Sequence, residues 1–177
     1  MSLIVAGEVT INNGGTINAG TGNITFGALT INSGGTYNAT PAITKLNNYT
    51  NSYYGGTTYH TFITFGTFTH NNGILFVNLT NPIDTRTYIQ TSDTFYNLES
   101  ANPGYWNAIY GRVDGNLTVH SGELVYGATA GFFNVLGIVI IKNSATVDNA
   151  HFGLQSSEFG GLVIDSGGTF TATTRTV

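Results

Sequence analysis

Apolar and polar residues alternate along this chain in short runs that stop at glycine corners. The clearest run is Val9-Thr10-Ile11, followed by Asn12-Asn13-Gly14-Gly15 and then Thr16-Ile17-Asn18-Ala19. A period of two places Val9 and Ile11 on one face of a strand and Thr10 on the other, while Asn-Gly-Gly supplies the positive φ of a corner. The phrase returns 20 residues later as Leu29-Thr30-Ile31-Asn32-Ser33-Gly34-Gly35-Thr36-Tyr37-Asn38-Ala39. It returns again as Leu162-Val163-Ile164-Asp165-Ser166-Gly167-Gly168-Thr169-Phe170-Thr171-Ala172. Weaker copies run from Leu117 to Leu124 and from Ile141 to Val147.

With Ile11, Ile31, Val119, Ile141 and Ile164 as equivalent positions, the late spacings are 22 and 23 residues, and the 88 residues from Ile31 to Val119 equal four times 22. Three degenerate copies are expected in that gap, near Tyr49, His70 and Leu98. A period of 20–23 residues is too short for a two-helix repeat and lacks the Leu/Asn signature of leucine-rich repeats. The pattern predicts an all-β chain folded as a parallel β-helix, a β-solenoid of about 8 coils in which equivalent residues stack at about 4.8 Å. One domain would span 1–177, with regular coils at 1–40 and 115–177 and irregular coils at 40–115. Val9, Leu29, Leu117, Val139 and Leu162 would form one interior column, and Ile17, Tyr37, Val147 and Phe170 another. A β-sandwich is the alternative, but it would not require one phrase at multiples of one period. The run Phe132–Ile141 is about half the roughly 20 residues of a membrane helix and is rich in β-branched residues, so it reads as a strand buried on both faces.

Composition sharpens this picture. Glycine fills 24 of 177 positions and charged residues only 8% against a usual figure of about 25%, which excludes a helical fold; 41% hydrophobic residues exclude a disordered one. The polar surface must therefore consist of Thr, Asn, Ser and Gly. Net charge is −4, and the five basic residues Lys45, Arg86, Arg112, Lys142 and Arg175 are dispersed, which argues against nucleic acid and against membrane insertion or an anionic surface as partners. Without cysteine there are no disulfides, no thiolate-held zinc and no thiol catalysis. The start, Met1 to Gly7, lacks the basic region and long apolar core of a signal peptide, so any export signal is expected elsewhere or to have been removed. The repeat begins within the first ten residues and continues almost to Val177 without a cap, which suggests a longer chain or an assembly: a homo-oligomer such as a trimer, or neighbouring solenoid segments.

The phrase at 29–39, with Asp93-Thr94-Phe95-Tyr96-Asn97-Leu98, resembles the Gly/Thr/Asn-rich β-helix repeats of bacterial surface adhesins and autotransporter passengers and of phage fibre or virion structural proteins. The resemblance implies an extracellular, cell-surface or virion setting. The expected function is a non-enzymatic structural or adhesive module, with weak binding of surface polysaccharide through exposed aromatics. A polysaccharide-degrading β-helix, a tailspike-like lyase or glycosidase, is the alternative. Ice binding, suggested by scattered Thr-x-Thr, would need that triplet in consecutive coils.

Candidate chemistry is sparse. Ionisable residues gather at Asp84, Arg86, Asp93, Glu99, Arg112 and Asp114. Asp93 precedes Leu98 by five residues and Asp114 precedes Val119 by five, so the expected register stacks the two carboxylates about 5 Å apart, with Arg112 beside them. That separation suits a retaining glycosidase pair or a shared cation, whereas two acids capping neighbouring turns would give the same pattern without chemistry. His60, His70, His120 and His151 share no metal-ligand spacing, and nucleophile-elbow, phosphate-loop and dinucleotide motifs are lacking, so no metal and no cofactor is expected. Aromatics are the larger surplus. The turn chemistry of Asn102-Pro103-Gly104 makes a loop carrying Tyr105, Trp106 and Tyr110 the expected ligand-binding element, with filling of a wider core or a subunit contact as the plainer role for these and the other aromatics.

Overall fold

The computed structural model describes residues 2–51, 59–79, 87–126, 132–148 and 156–171. All regular structure in them is β: β1 (Leu3–Ile11), β2 (Thr16–Asn18), β3 (Ile24–Ile31), β4 (Thr36–Asn38), β5 (Ile43–Leu46), β6 (Thr50–Asn51), β7 (Tyr59–Thr64), β8 (Thr67–Thr69), β9 (Ile74–Asn78), β10 (Thr87–Phe95), β11 (Asn97–Val113), β12 (Leu117–Tyr126), β13 (Phe132–Ile141), β14 (Ala145–Asp148), β15 (Ser156–Ile164) and β16 (Thr169–Thr171). Among the described strands every pairing is parallel except that of β6 with β7. Parallel pairing between sequence-distant strands, each one turn above the last, is a β-solenoid, as the repeat predicts.

Three ladders run along it. On the first, Leu3, Ile24, Thr44, Leu75, Leu98, Leu117, Val139 and Leu162 succeed one another as direct partners; two residues on, so do Val5, Phe26, Leu46, Val77, Ser100, Val119, Ile141 and Ile164. The second carries Val9, Leu29, Phe62, Ile89, Ile109 and Tyr126. The third carries Ile17, Tyr37 and Phe68, then Phe95, Val113, Val135 and Phe159, joined where the Phe68 and Phe95 rings meet at 5.8 Å. Each coil thus visits three sides in the order first, second, third.

Two expectations need correction. Rungs of the first ladder are separated by 21, 20, 31, 23, 19, 22 and 23 residues, and five of these seven intervals keep the 20–23 period. The solenoid therefore has about 5 regular turns in place of about 8 like coils. The repeated phrase also changes side. Ile11 and Ile31 stack on the second side below Thr64, whereas Val119, Ile141 and Ile164 belong to the ladder of Val5 and Phe26 on the first. The two expected interior columns are therefore each split between ladders. The cause is the long turn from Thr44 to Leu75, which takes 31 residues. The 88 residues after Ile31 consequently reach the first side at Val119 before four whole turns are complete. Of the expected intermediate copies, Leu98 stacks on Leu117 and not on Val119, His70 begins a corner, and Tyr49 lies between β5 and β6.

The corners repeat one device. In each, the fourth residue's N–H donates to the first residue's carbonyl: Gly15 to Asn12, Gly35 to Asn32, Gly73 to His70, Ala145 to Lys142 and Gly168 to Asp165, all within 2.8–3.0 Å. The third residue adopts positive φ, as at Gly34 (77°) and Gly167 (87°), where a side chain would also strike Asn13 and Asn143 of the coil beneath. Polar ladders line the exterior, with Asn32 Nδ2 donating to Asn12 Oδ1 and Asn38 Nδ2 to Asn18 Oδ1, both at 2.8 Å.

The irregular middle is filled by aromatic rings. Phe26, Tyr37, Phe62, Phe68 and Phe95 are buried and touch in sequence, with centroids 5.3–6.1 Å apart. Core filling is thus the role of Phe62, Phe68 and Phe95. The run Phe132–Ile141, expected to be buried on both faces, has one face inward and one outward: Val135, Val139 and Ile141 are buried, while Leu136 and Ile138 are exposed. A single-layered wall gives a strand only one interior.

The phenol of Tyr37 is fully buried and shares a 2.9 Å hydrogen bond with Thr44 Oγ1. Burial pushes its ionisation above the ordinary 10.0, and the bond to Thr44 pulls partly back. A raised value in the fold favours the neutral form, so its contribution is complete below about pH 10 and is lost as pH rises through the folded value. Urea titrations of the chain and of Tyr37→Phe should show the variant about 1 kcal/mol less stable at neutral pH, with the gap closing in the alkaline range. A gap independent of pH would contradict this assignment.

Candidate functional site

Between each pair of inward residues on the first side lies one outward residue. These form the column Ile4, Thr25, Lys45, Phe76, Glu99, Thr118, Ile140 and Val163. Its middle concentrates chemistry that is scarce elsewhere. Lys45 Nζ stands 5.8 Å from the centroid of the Phe76 ring, and the His120 ring lies 5.6 Å from it on the next elements. His120 Nε2 and Glu99 Oε2 are 2.9 Å apart. Lys45, Phe76 and Glu99 are half-buried and His120 is exposed. In a chain with only 8% charged residues, an ammonium, an imidazole and a carboxylate around one outward aromatic form a distinct patch. It offers donors, an acceptor and an apolar ring edge without being a cavity, the equipment for holding a hydroxyl-rich surface weakly.

The carboxylate pair expected from sequence is not assembled. Thr94 pairs with Arg112 and Phe95 with Val113, and the next amides along, those of Asp114 and Gly115, donate to the Phe95 and Tyr96 carbonyls. Asp114 therefore lies beside Tyr96, three residues past Asp93. The expected register failed because Leu98 stacks on Leu117 and not on Val119. Arg112 Nε donates to Asp114 Oδ1 at 2.6 Å, with the two side chains 50% and 36% exposed. The arginine thus serves the acid two residues along the chain, just past the end of β11.

Tyr105, Trp106 and Tyr110 have their backbone in β11, where Trp106 pairs with Glu123 and Tyr110 with Gln90. Their side chains lie outside the described residues. The Asn-Pro-Gly segment makes an irregularity inside the strand and not a loop: Ala101 pairs with Ser121 and Trp106 with Glu123, so five residues advance against two. Asp84 and Arg86 also lie outside the described residues. Among the described residues no group of three or more His, Cys, Asp and Glu is placed to hold a metal ion.

Sequence reasoning missed Lys45, Phe76 and His120 because they come from different coils. The available signal was their position: Lys45, Phe76 and Glu99 each sit between two inward residues of the first ladder. That signal appears only once the register through 40–115 is known. The chain matches no family model, no curated protein and no solved structure.

The Glu99–His120 pair is partly exposed and should contribute little by itself. A double-mutant cycle of Glu99→Gln and His120→Gln is expected to give a coupling of about 0.2–1 kcal/mol in urea unfolding. Coupling above about 2 kcal/mol would show a desolvated pair, unlike the exposure seen here.

Proposed function

We propose that this solenoid is a non-enzymatic structural and adhesive module of an extracellular or virion fibre. The stack sets distance, and its outer faces make weak, repeated contacts with surface polysaccharide. The observation that carries the reading is the first ladder, whose eight rungs run from Leu3 to Leu162 along one parallel column. A rod built from backbone ladders needs few charges, and its exterior of Asn and Thr ladders suits solvent and sugar hydroxyls alike. The cluster of Lys45, Phe76, Glu99 and His120 is the contact best equipped to meet a glycan. A contact of that size is weak singly, with a dissociation constant on the order of 1 mM, and becomes useful when many copies are presented together.

The test is a screen of surface polysaccharides for both retention and turnover. The expected result is binding to an immobilised polysaccharide that falls at least about fivefold in a Lys45→Ala/Phe76→Ala variant, a loss of about 1 kcal/mol, with the polysaccharide's chain length unchanged. Shortening of the polysaccharide by the purified chain would overturn the non-enzymatic reading in favour of a lyase or glycosidase.

A further inference from the structure

We propose that the polysaccharide met by this module is acidic, and that the Lys45 ammonium receives an anionic group, a carboxylate or a sulfate, on a sugar whose ring lies against Phe76. The inference rests on the glycan-binding reading above and deepens it by naming the class of glycan.

The basic side chains are not alike. Arg112 Nε lies 2.6 Å from Asp114 Oδ1, and Lys142 Nζ lies 3.2 Å from Asp165 Oδ2. Among the described lysines and arginines, only Lys45 has no carboxylate within ion-pair distance. Its direct partners in the outward column are Thr25 on one rung and Phe76 on the next, neither of them charged. The one acid in that column is Glu99, a rung beyond Phe76 and about 10 Å from Lys45 along the stack. Its carboxylate is engaged by His120.

The ammonium is also held in place. Lys45 is half-buried, and Nζ stands over the Phe76 ring, 5.8 Å from its centroid, so the cation–π attraction fixes the head of an otherwise mobile side chain. The His120 ring lies 5.6 Å from the same Phe76 ring and brings polar atoms for sugar hydroxyls. One sugar ring laid on Phe76 therefore meets an uncompensated positive charge and a hydrogen-bonding pair at once.

Covering this ground has opposite consequences for two classes of glycan. Any sugar stacked on Phe76 strips water from the ammonium beside it. A neutral chain replaces that water with hydroxyls alone, whereas an anion at the same point forms a charge-assisted hydrogen bond that offsets the lost hydration. The net charge of −4 opposes a polyanion at long range, so the selection comes from this local charge and not from the field of the whole chain.

Four immobilised polymers test this on the full chain: polygalacturonate against its fully methyl-esterified form, and dextran sulfate against dextran. At least one acidic polymer should retain the chain at least about threefold more strongly than its neutral counterpart, and the pair that shows the difference tells carboxylate from sulfate. Lys45→Gln should abolish the difference and Lys45→Arg should keep it. Lys142→Gln removes an equal charge from the same side, but one already matched by Asp165, and should change the difference less than about twofold. Matching urea midpoints show that a lost difference is not lost folding. Equal retention within both pairs overturns the acidic class and leaves a glycan contact standing. A loss in Lys142→Gln as large as in Lys45→Gln overturns the assignment to Lys45 in favour of general charge attraction. Retention on none of the four polymers overturns the proposal as well, and the wider polysaccharide screen then decides the glycan reading by itself.

Discussion

Everything in this molecule depends on the parallel backbone ladder along its axis. Because each strand's donors and acceptors are met by the coils above and below, a rung can stay in the stack only if it presents apolar or compact residues inward at the same height as its neighbours. That requirement acts position by position, and it explains why Leu, Ile, Val and Phe exchange freely along the columns while the alternation never lapses for long. Thr44 and Ser100, the polar members of the first side's two inward columns, are both buried and stand beside bulky neighbours. The ladder tolerates a small polar residue there more readily than a gap in the backbone pairing.

The same constraint shapes corners and surface. A turn that recurs at the pitch of the ladder has room for a side chain on one coil only where the next coil has none, which is why glycines sit over Asn13 and Asn143. Outward, a ladder of amides such as Asn12 with Asn32 pairs its polar groups along the axis without any charge. Charge is then free to concentrate, as it does around Phe76. The outward column that carries this patch is apolar at both ends, with Ile4 at one and Val163 at the other.

How much of this was legible in the sequence follows from the same physics. The solenoid was, because Leu29–Ala39 copies Val9–Ala19 across a single regular turn and both phrases have the period of a strand. The side on which the later copies fall was not. A repeat fixes the phase only while each turn costs the same number of residues, and the turn between Thr44 and Leu75 costs 31. One long turn shifted Val119 from the second side to the first, separated Asp93 from Asp114 and hid the approach of Lys45 to Phe76. Asn102-Pro103-Gly104 misled for a related reason: turn residues inside a ladder can be absorbed as a bulge when the neighbouring strands hold the register on either side.

The central claim is that one ladder continues through the irregular middle and joins the two regular ends into a single body. Residue-resolved amide hydrogen exchange tests it most directly, at Leu46, Val77, Ser100, Val119 and Ile141, which follow one another on the first ladder. The account predicts comparable, strong protection at all five, since each lies inside the same stack. Protection at Leu46 and Ile141 with rapid exchange at Val77 and Ser100 would contradict it, showing two separate solenoids joined by an unpaired segment.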